Sequence, residues 1–255
     1  MLQAHSILWH YLWIAPNVLL FVLGWLIWRR GVSGQVRSFL AFALLSAPAN
    51  LCVYLADILP WVSGAAFWRI AWVCMLLESL LKFLIIGEVF SRILGPYPSI
   101  SRLGRSLISG FGALLVFVAA LVAAFSKGDS TTHIVSGLHL FEQTVFIVEL
   151  GLILFLFLFA GYFRLALDRF SFGISLGLGI CACGYLATWA VMTNGDPSSY
   201  ARTMLDFLNM ATYHATVLLW GYYLLVPGKV IARSALPLPE NNLALWNREL
   251  ERLLQ

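Results

Sequence analysis

Residues 67–90 read FWRIAWVCMLLESLLKFLIIGEVF, an apolar run broken in its middle only by Glu78 and Lys82. A helix needs about 20 predominantly apolar residues to cross a hydrocarbon core about 30 Å thick, and this run is long enough. A barrel strand would alternate apolar and polar residues over a shorter span, which the run does not do. A charged side chain at the bilayer centre costs about 2.5–3.5 kcal/mol even on translocon-based scales, so Glu78 and Lys82 must be paired, hydrated or useful there. Their i, i+4 spacing puts both on one helix face, within reach of an ion pair.

Six further runs share this character. The expected spans are 8–28, 39–58, 67–90, 107–125, 138–159, 172–192 and 204–226, separated by turn chemistry such as Arg29-Arg30-Gly31, Gly95-Pro96-Tyr97-Pro98 and Asn194-Gly195-Asp196-Pro197. Hydrophobic residues make up 61% of the 255, charged residues 11%, and the mean hydropathy is +0.86. Those values are far from soluble averages and place the chain in the membrane class. The fold expected is therefore all-α: a seven-transmembrane-helix bundle over 1–228, followed by a cytosolic tail over 229–255. Short connections predict antiparallel neighbours.

Orientation follows from the basic residues. Arg29, Arg30, Arg37, Arg92, Arg102, Arg105, Arg164, Arg169, Lys229 and Arg233 fall on one side of the spans, and Arg69, Lys127 and Arg202 on the other. The positive-inside rule then puts the N-terminus outside and the C-terminus in the cytosol, with a bacterial inner membrane as the expected location. The formal net charge of +4 reflects this topology and contact with lipid headgroups. No basic stripe interleaved with aromatics points to nucleic acid. Trp9, Trp13, Trp28, Trp61 and Trp68 lie near span ends, where an amphipathic ring suits the interface.

Several residues inside the spans carry packing or redox expectations. Cys52, Cys74, Cys181 and Cys183 all fall within spans, so no structural disulfide is expected and they read as small buried hydrophobes. Pro48 lies inside span two, is expected to kink it, and frees a carbonyl for a neighbouring helix or Ser46 to satisfy. Gly173 and Gly177 are four apart, a spacing that lets a partner helix approach closely, either within this bundle or between protomers, with packing inside the bundle the favoured reading.

The candidate site is polar and intramembrane. Glu142 and Glu149 share a face of span five with His139, and span seven contributes Asp206, Asn209, Tyr213 and His214. Together with Glu78 and Lys82, the residues Glu142, Glu149, Asp206, Tyr213 and His214 are expected to line an outward-facing cavity for a small ligand, a lipid or a proton. His139 and Glu142, at i, i+3, form a weak metal-chelating pair. In the tail, Leu243, Trp246, Leu250 and Leu253 recur at three- and four-residue steps, an apolar seam suited to a cytosolic or membrane protein partner or to the inner leaflet.

Familiar cofactor chemistries find no footing. Span seven carries no lysine for a retinal Schiff base, and Lys82 lies in span three. The five histidines include no HxxxH pair and no facing axial pair that would support haem. No Walker A motif, dinucleotide fingerprint or nucleophile elbow is present, so no catalytic residue is assigned.

Across nearly its whole length the chain resembles uncharacterised bacterial seven-helix membrane proteins, and more distantly the seven-helix input modules of membrane sensors. The resemblance is carried by LLESLLKFLIIGEVF (76–90), HLFEQTVFIVE (139–149) and MLDFLNMATYH (204–214). It implies a receptor-like or sensory protein that binds in the cavity and couples to a partner through the tail. A sensor module would normally feed a kinase or cyclase, which the residues to Gln255 do not contain. A proton-coupled transporter and a structural subunit of a larger membrane assembly are the alternatives.

Overall fold

The computed structural model describes residues 5–94, 131–162, 167–194 and 198–226, with isolated positions between 106 and 117 and at 252. Its described regular structure is helical: α1 (Ile7–Arg29), a 3₁₀ turn (Val32–Gln35), α2 (Arg37–Ile58), α3 (Gly64–Ile93), α4 (Thr131–Tyr162), α5 (Arg169–Asn194) and α6 (Ser199–Leu225). Five of the helices, α1 to α5, are long and apolar enough to cross a membrane. The chain is an integral membrane protein. The sixth, α6, is long enough but interrupts its apolar run with Arg202, Asp206, Asn209, Tyr213 and His214. The expected span 107–125 and the tail residues Leu243, Trp246, Leu250 and Leu253 lie outside the described residues.

The helices close into a ring. Each of α1 to α6 packs on the next, α6 packs back on α1, and α3 touches α5 across the middle. Most neighbours are antiparallel, as short connections require, but two seams are not. Trp72 meets Phe141, Lys82 meets Glu149 and Phe90 meets Phe155, so α3 and α4 run parallel. Along α1 and α6, Tyr11 meets His214 near one end and Arg30 reaches the Leu225 carbonyl at the other, so these two are parallel as well.

Opposite ends of the ring are finished differently. At one end α1, α3 and α6 begin with Ser6, Ser63 and Ser198, whose hydroxyls accept from Trp9, Ala66 and Ala201 N–H groups at 3.3 Å. These are ordinary serine caps on otherwise orphaned donors. The other end is basic, with Arg29, Arg30, Arg37, Arg92 and Arg169 gathered there. Val36 at the start of α2 has no capping side chain, and Glu88 of α3 takes that role, accepting from Arg37 N (3.1 Å) and Ser38 N (2.6 Å). Asp168 likewise caps α5 through Ser171 N (3.1 Å), and Arg92 bridges both carboxylates, at 3.4 Å from Glu88 and 3.6 Å from Asp168. Arg30 and Arg169 donate to the Leu225 and Tyr222 carbonyls at 2.7 and 3.1 Å. Anions therefore meet helix N-termini and cations a helix C-terminus, as the helix dipoles favour.

The tightest seam joins α5 to α6. Down its length Gly173 faces Tyr223, Gly177 faces Trp220, Cys181 meets Thr216 and Gly184 faces Thr212. The Gly173 and Gly177 spacing thus seats a helix of the same bundle. A Cβ on Gly177 would fall on the Trp220 indole, which is fully buried and donates through Nε1 to the Ile174 carbonyl at 3.2 Å. Phe39 and Phe42 of α2 close on the same indole edge-on, with centroids 5.2 and 5.8 Å away.

Three expectations are corrected here. Trp9 is buried against Tyr54 and Phe207 instead of anchoring at the interface, although Trp28 and Trp61 are exposed. Cys52 and Cys183 face outward; they and the other two cysteines are free thiols. Pro48 sits within a continuous α2, but the buried Ser46 hydroxyl makes no hydrogen bond among the described residues. It therefore does not satisfy the carbonyl that Pro48 frees.

Gly177→Ala is expected to lower the stability of the solubilised protein by about 1–3 kcal/mol, the usual cost of overpacking a close-packed core. Gly179→Ala, whose Cβ would meet nothing closer than Ile153 at 3.6 Å, serves as the control and should melt at or above the parent temperature. Equal melting of the two variants would refute the close-approach account.

Candidate functional site

Inside the ring lies a cavity of about 200 Å³ whose walls come from α2 to α6. Its polar lining is Glu78, Lys82, Glu142, Tyr185, Asn209, Thr212 and Tyr213; its apolar lining includes Phe42, Phe146, Leu178 and Trp220. At 1.5 Å per residue, Glu142 and Asn209 stand about 15 Å below the serine-capped end, with Glu78 and Lys82 deeper. Below them Phe42 and Trp220 line the cavity on the side of the basic end, and Phe39 packs against both rings. The result is a polar chamber with an aromatic floor.

Lys82 is its electrostatic centre. The residue is 7% exposed, and its ammonium lies 3.0 Å from Glu78, 3.8 Å from Glu149 and 4.5 Å above the Phe146 ring. The i, i+4 pair read in residues 67–90 is thus formed, and Glu149 joins it from α4. Glu149 is 0% exposed. Neither of its oxygens accepts a hydrogen bond among the described residues, and 3.8 Å is too long for one. The Lys82 charge is what makes a buried carboxylate tolerable there.

Every seam of the ring carries a polar side-chain link. The Tyr54 hydroxyl meets His10 Nδ1 at 2.9 Å between α2 and α1, and Asn50 Nδ2 donates to Glu78 at 3.5 Å between α2 and α3. Lys82 and Glu149 join α3 to α4, and the Tyr185 hydroxyl donates to Glu142 between α5 and α4. Thr188 Oγ1 lies 3.0 Å from Asn209 Oδ1 between α5 and α6, and the Tyr213 hydroxyl donates to Asn17 Oδ1 at 3.5 Å between α6 and α1. In a medium without water each such group needs an internal partner, and here each finds one on the neighbouring helix, while Glu78, Asn17 and Thr188 also have partners on their own helices.

The structure gathers part of the expected site and separates the rest. Glu78, Lys82, Glu142 and Tyr213 line one chamber, with Glu149 behind Lys82. Asp206 is exposed on α6, outside the lining. His214 turns towards Tyr11 of α1, at a centroid distance of 5.8 Å, and its buried Nδ1 has no hydrogen-bond partner among the described residues. The side chain of His139 lies outside the described residues, and among those described no group of three His, Cys, Asp or Glu could hold a metal. Tyr185, Asn50 and Asn17 were not singled out from the sequence. Their signal was there, since an asparagine inside an apolar run needs a partner for the same reason a charge does.

No family model, curated protein or solved structure matches the chain.

Lys82→Met is expected to cost about 3–5 kcal/mol, because it strands Glu149 as an uncompensated buried charge. Lys82→Met combined with Glu149→Met should recover at least half of that loss in denaturant or thermal melts of solubilised protein. A double variant no more stable than Lys82→Met would show that the two groups are not coupled.

Proposed function

We propose that this protein is a receptor-like or sensory membrane protein that holds a small ligand in the central chamber. The observation that carries the reading is one of shape and chemistry together. A closed helical ring surrounds about 200 Å³ of space lined by charged and hydrogen-bonding groups, and an aromatic floor separates that space from the basic end. Pockets for drug-sized ligands run about 300–1,000 Å³, so this one suits something smaller. The floor argues for binding over passage: a carrier would have to displace the indole of Trp220, which is locked between Gly177 and Phe39.

The proposed topology has seven spans, with the N-terminus outside and the basic end in the cytosol of a bacterial inner membrane. Support comes from the parallel seams. The end of α3 and the start of α4 lie at opposite ends of the ring, and the apolar run 107–125 lies between them in the sequence, which favours a further span there. The arginines at one end of the ring favour that end as cytosolic. A signal would pass along α3, which carries Glu78 and Lys82 at the chamber and Glu88 and Arg92 at the basic end, and along α6 to the tail. The seam of Leu243, Trp246, Leu250 and Leu253 is the proposed contact with a cytosolic or membrane partner.

Two measurements test these proposals. Native mass spectrometry of gently solubilised protein should show a retained small mass that is lost on denaturation; a bare protein in every mild detergent would remove the ligand. In a version lacking the native cysteines, Gly128→Cys should react with an impermeant maleimide in intact cells. Ser99→Cys should react only after permeabilisation. Labelling of both from the same side would overturn the seven-span arrangement.

A further inference from the structure

Away from the chamber, the outer side of the seam between α1 and α6 carries an apolar furrow that ends among arginines. Tyr11 marks the side of α1 concerned, because its exposed ring meets His214 of α6. At about 100° per residue, Val18, Val22, Trp25 and Arg29 lie within about 40° of Tyr11, and all four are exposed. Counted from His214 in the same way, Leu218, Gly221 and Leu225 lie within about 40° of the seam on α6. Leu218 is exposed, and a Cβ on Gly221 would meet nothing within 4 Å. The seam is therefore open on its lipid side, and the opening runs towards the basic end.

Three guanidinium groups stand where it stops. Arg29 lies 5.4 Å from the Trp25 ring centroid, on the exposed face. Arg30 donates to the Leu225 carbonyl at 2.7 Å, and Arg169 of α5 donates to the Tyr222 carbonyl at 3.1 Å. These carbonyls belong to the last turn of α6, which puts the two donor nitrogens within about 11 Å of each other. Arg169 also lies 5.2 Å over the exposed Tyr222 ring, and its buried Nε has no hydrogen-bond partner among the described residues. A guanidinium carries five N–H donors in a planar fork that matches phosphate, so one bond to a carbonyl leaves it able to take an anion. Glu88 and Asp168, carboxylates of the same end, are held by Arg92 and by the N-termini of α2 and α5.

We infer that the α1–α6 seam binds an anionic phospholipid, with its phosphate against Arg29, Arg30 and Arg169 and an acyl chain in the furrow past Trp25 and Gly221. The two halves of the site name the two halves of the ligand. Arginines at the membrane surface favour a headgroup of net negative charge over a zwitterionic one. The furrow below them faces hydrocarbon, and a lipid fills both places with one molecule where a soluble phosphate would fill one. Exposed Trp25, Trp28 and Tyr222 are rings suited to the headgroup level. The inference is independent of the chamber and of what it holds.

The test uses delipidated full-length protein and native mass spectrometry with phosphatidylglycerol and phosphatidylcholine of equal acyl chains, and with glycerol phosphate as the headgroup alone. Phosphatidylglycerol should give a saturable one-to-one adduct and bind about tenfold more tightly than phosphatidylcholine. Arg29→Gln removes a side chain that makes no hydrogen bond among the described residues, and it should weaken the adduct about fivefold, the worth of one arginine beside an anionic surface. Gly221→Leu leaves every charge in place, has room to fold, and should weaken the adduct several-fold by filling the furrow. Equal binding of the two lipids would overturn the anionic class. Glycerol phosphate binding as tightly as the lipid would replace the lipid with a soluble phosphate. A preference for phosphatidylglycerol unchanged in both variants would place the lipid elsewhere. Each of these outcomes overturns the inference and leaves the chamber reading standing, because the adduct is recognised by the mass of the added lipid.

Discussion

A charge halfway along a membrane helix has to be answered from within the protein, and Lys82 is answered by Glu78 on its own helix and Glu149 on the next. Much of the described structure is consistent with that constraint. The ion pair between α3 and α4 holds two parallel helices together at mid-length, where apolar packing against lipid offers no preference for one neighbour over another. The same logic repeats at each seam, with Tyr54 to His10, Asn50 to Glu78, Tyr185 to Glu142, Asn209 to Thr188 and Tyr213 to Asn17. Individually such links are worth about 0.6 kcal/mol in membrane proteins, so their weight lies less in stability than in fixing which helix faces which.

The two ends of the ring show the same economy in a different setting. At one end serines cap α1, α3 and α6, each from its own chain entry. At the basic end one cap comes from afar: Glu88 belongs to α3 yet caps α2, and Arg92 ties it to Asp168, which caps α5 from its own chain entry. A rotation or shift of α3 would therefore disturb the pairing of Lys82 in the chamber and the caps of two other helices at the same time. That mechanical linkage gives the proposed sensory reading a route from chamber to cytosol without passage of the ligand through the aromatic floor.

Much of this was legible in the residues alone, and the boundary of legibility has a physical cause. The apolar runs gave the helices, because nothing else satisfies a backbone in lipid. Glu78 and Lys82 were readable as a pair because both sit on one helix at a fixed phase. Glu149 was readable as buried, since its run leaves it no water, but its attachment to Lys82 was not, because the rotation of α4 against α3 is set by packing between segments distant in sequence. The placement of Asp206 and His214 outside the cavity lining was not legible for that reason too. His214 is one residue past Tyr213, about 100° around the helix, and so it faces α1 while Tyr213 faces the chamber. Trp9 was misjudged because position near a span end says nothing of whether Tyr54 and Phe207 will cover it.

The helix that composition ranks lowest is the one the chamber needs most. Averaged over its length, α6 falls outside the set of helices apolar enough to cross a membrane, yet an average mixes two faces that meet different surroundings. Its outward residues include Met204, Leu208, Leu218 and Tyr222, compatible with lipid or its interface, while the exposed charges Arg202 and Asp206 lie in its first turns, near the serine-capped end. Inward it presents Asn209, Thr212, Tyr213 and Trp220 to the cavity, and Thr216 is buried against Cys181. A helix that seals a polar chamber must be amphipathic for the same reason that a soluble helix is, with the polar side turned in. The polarity that lowers the hydropathy of α6 thus supports its place as the last proposed span, because in a closed ring only the outer face has to be soluble in the bilayer.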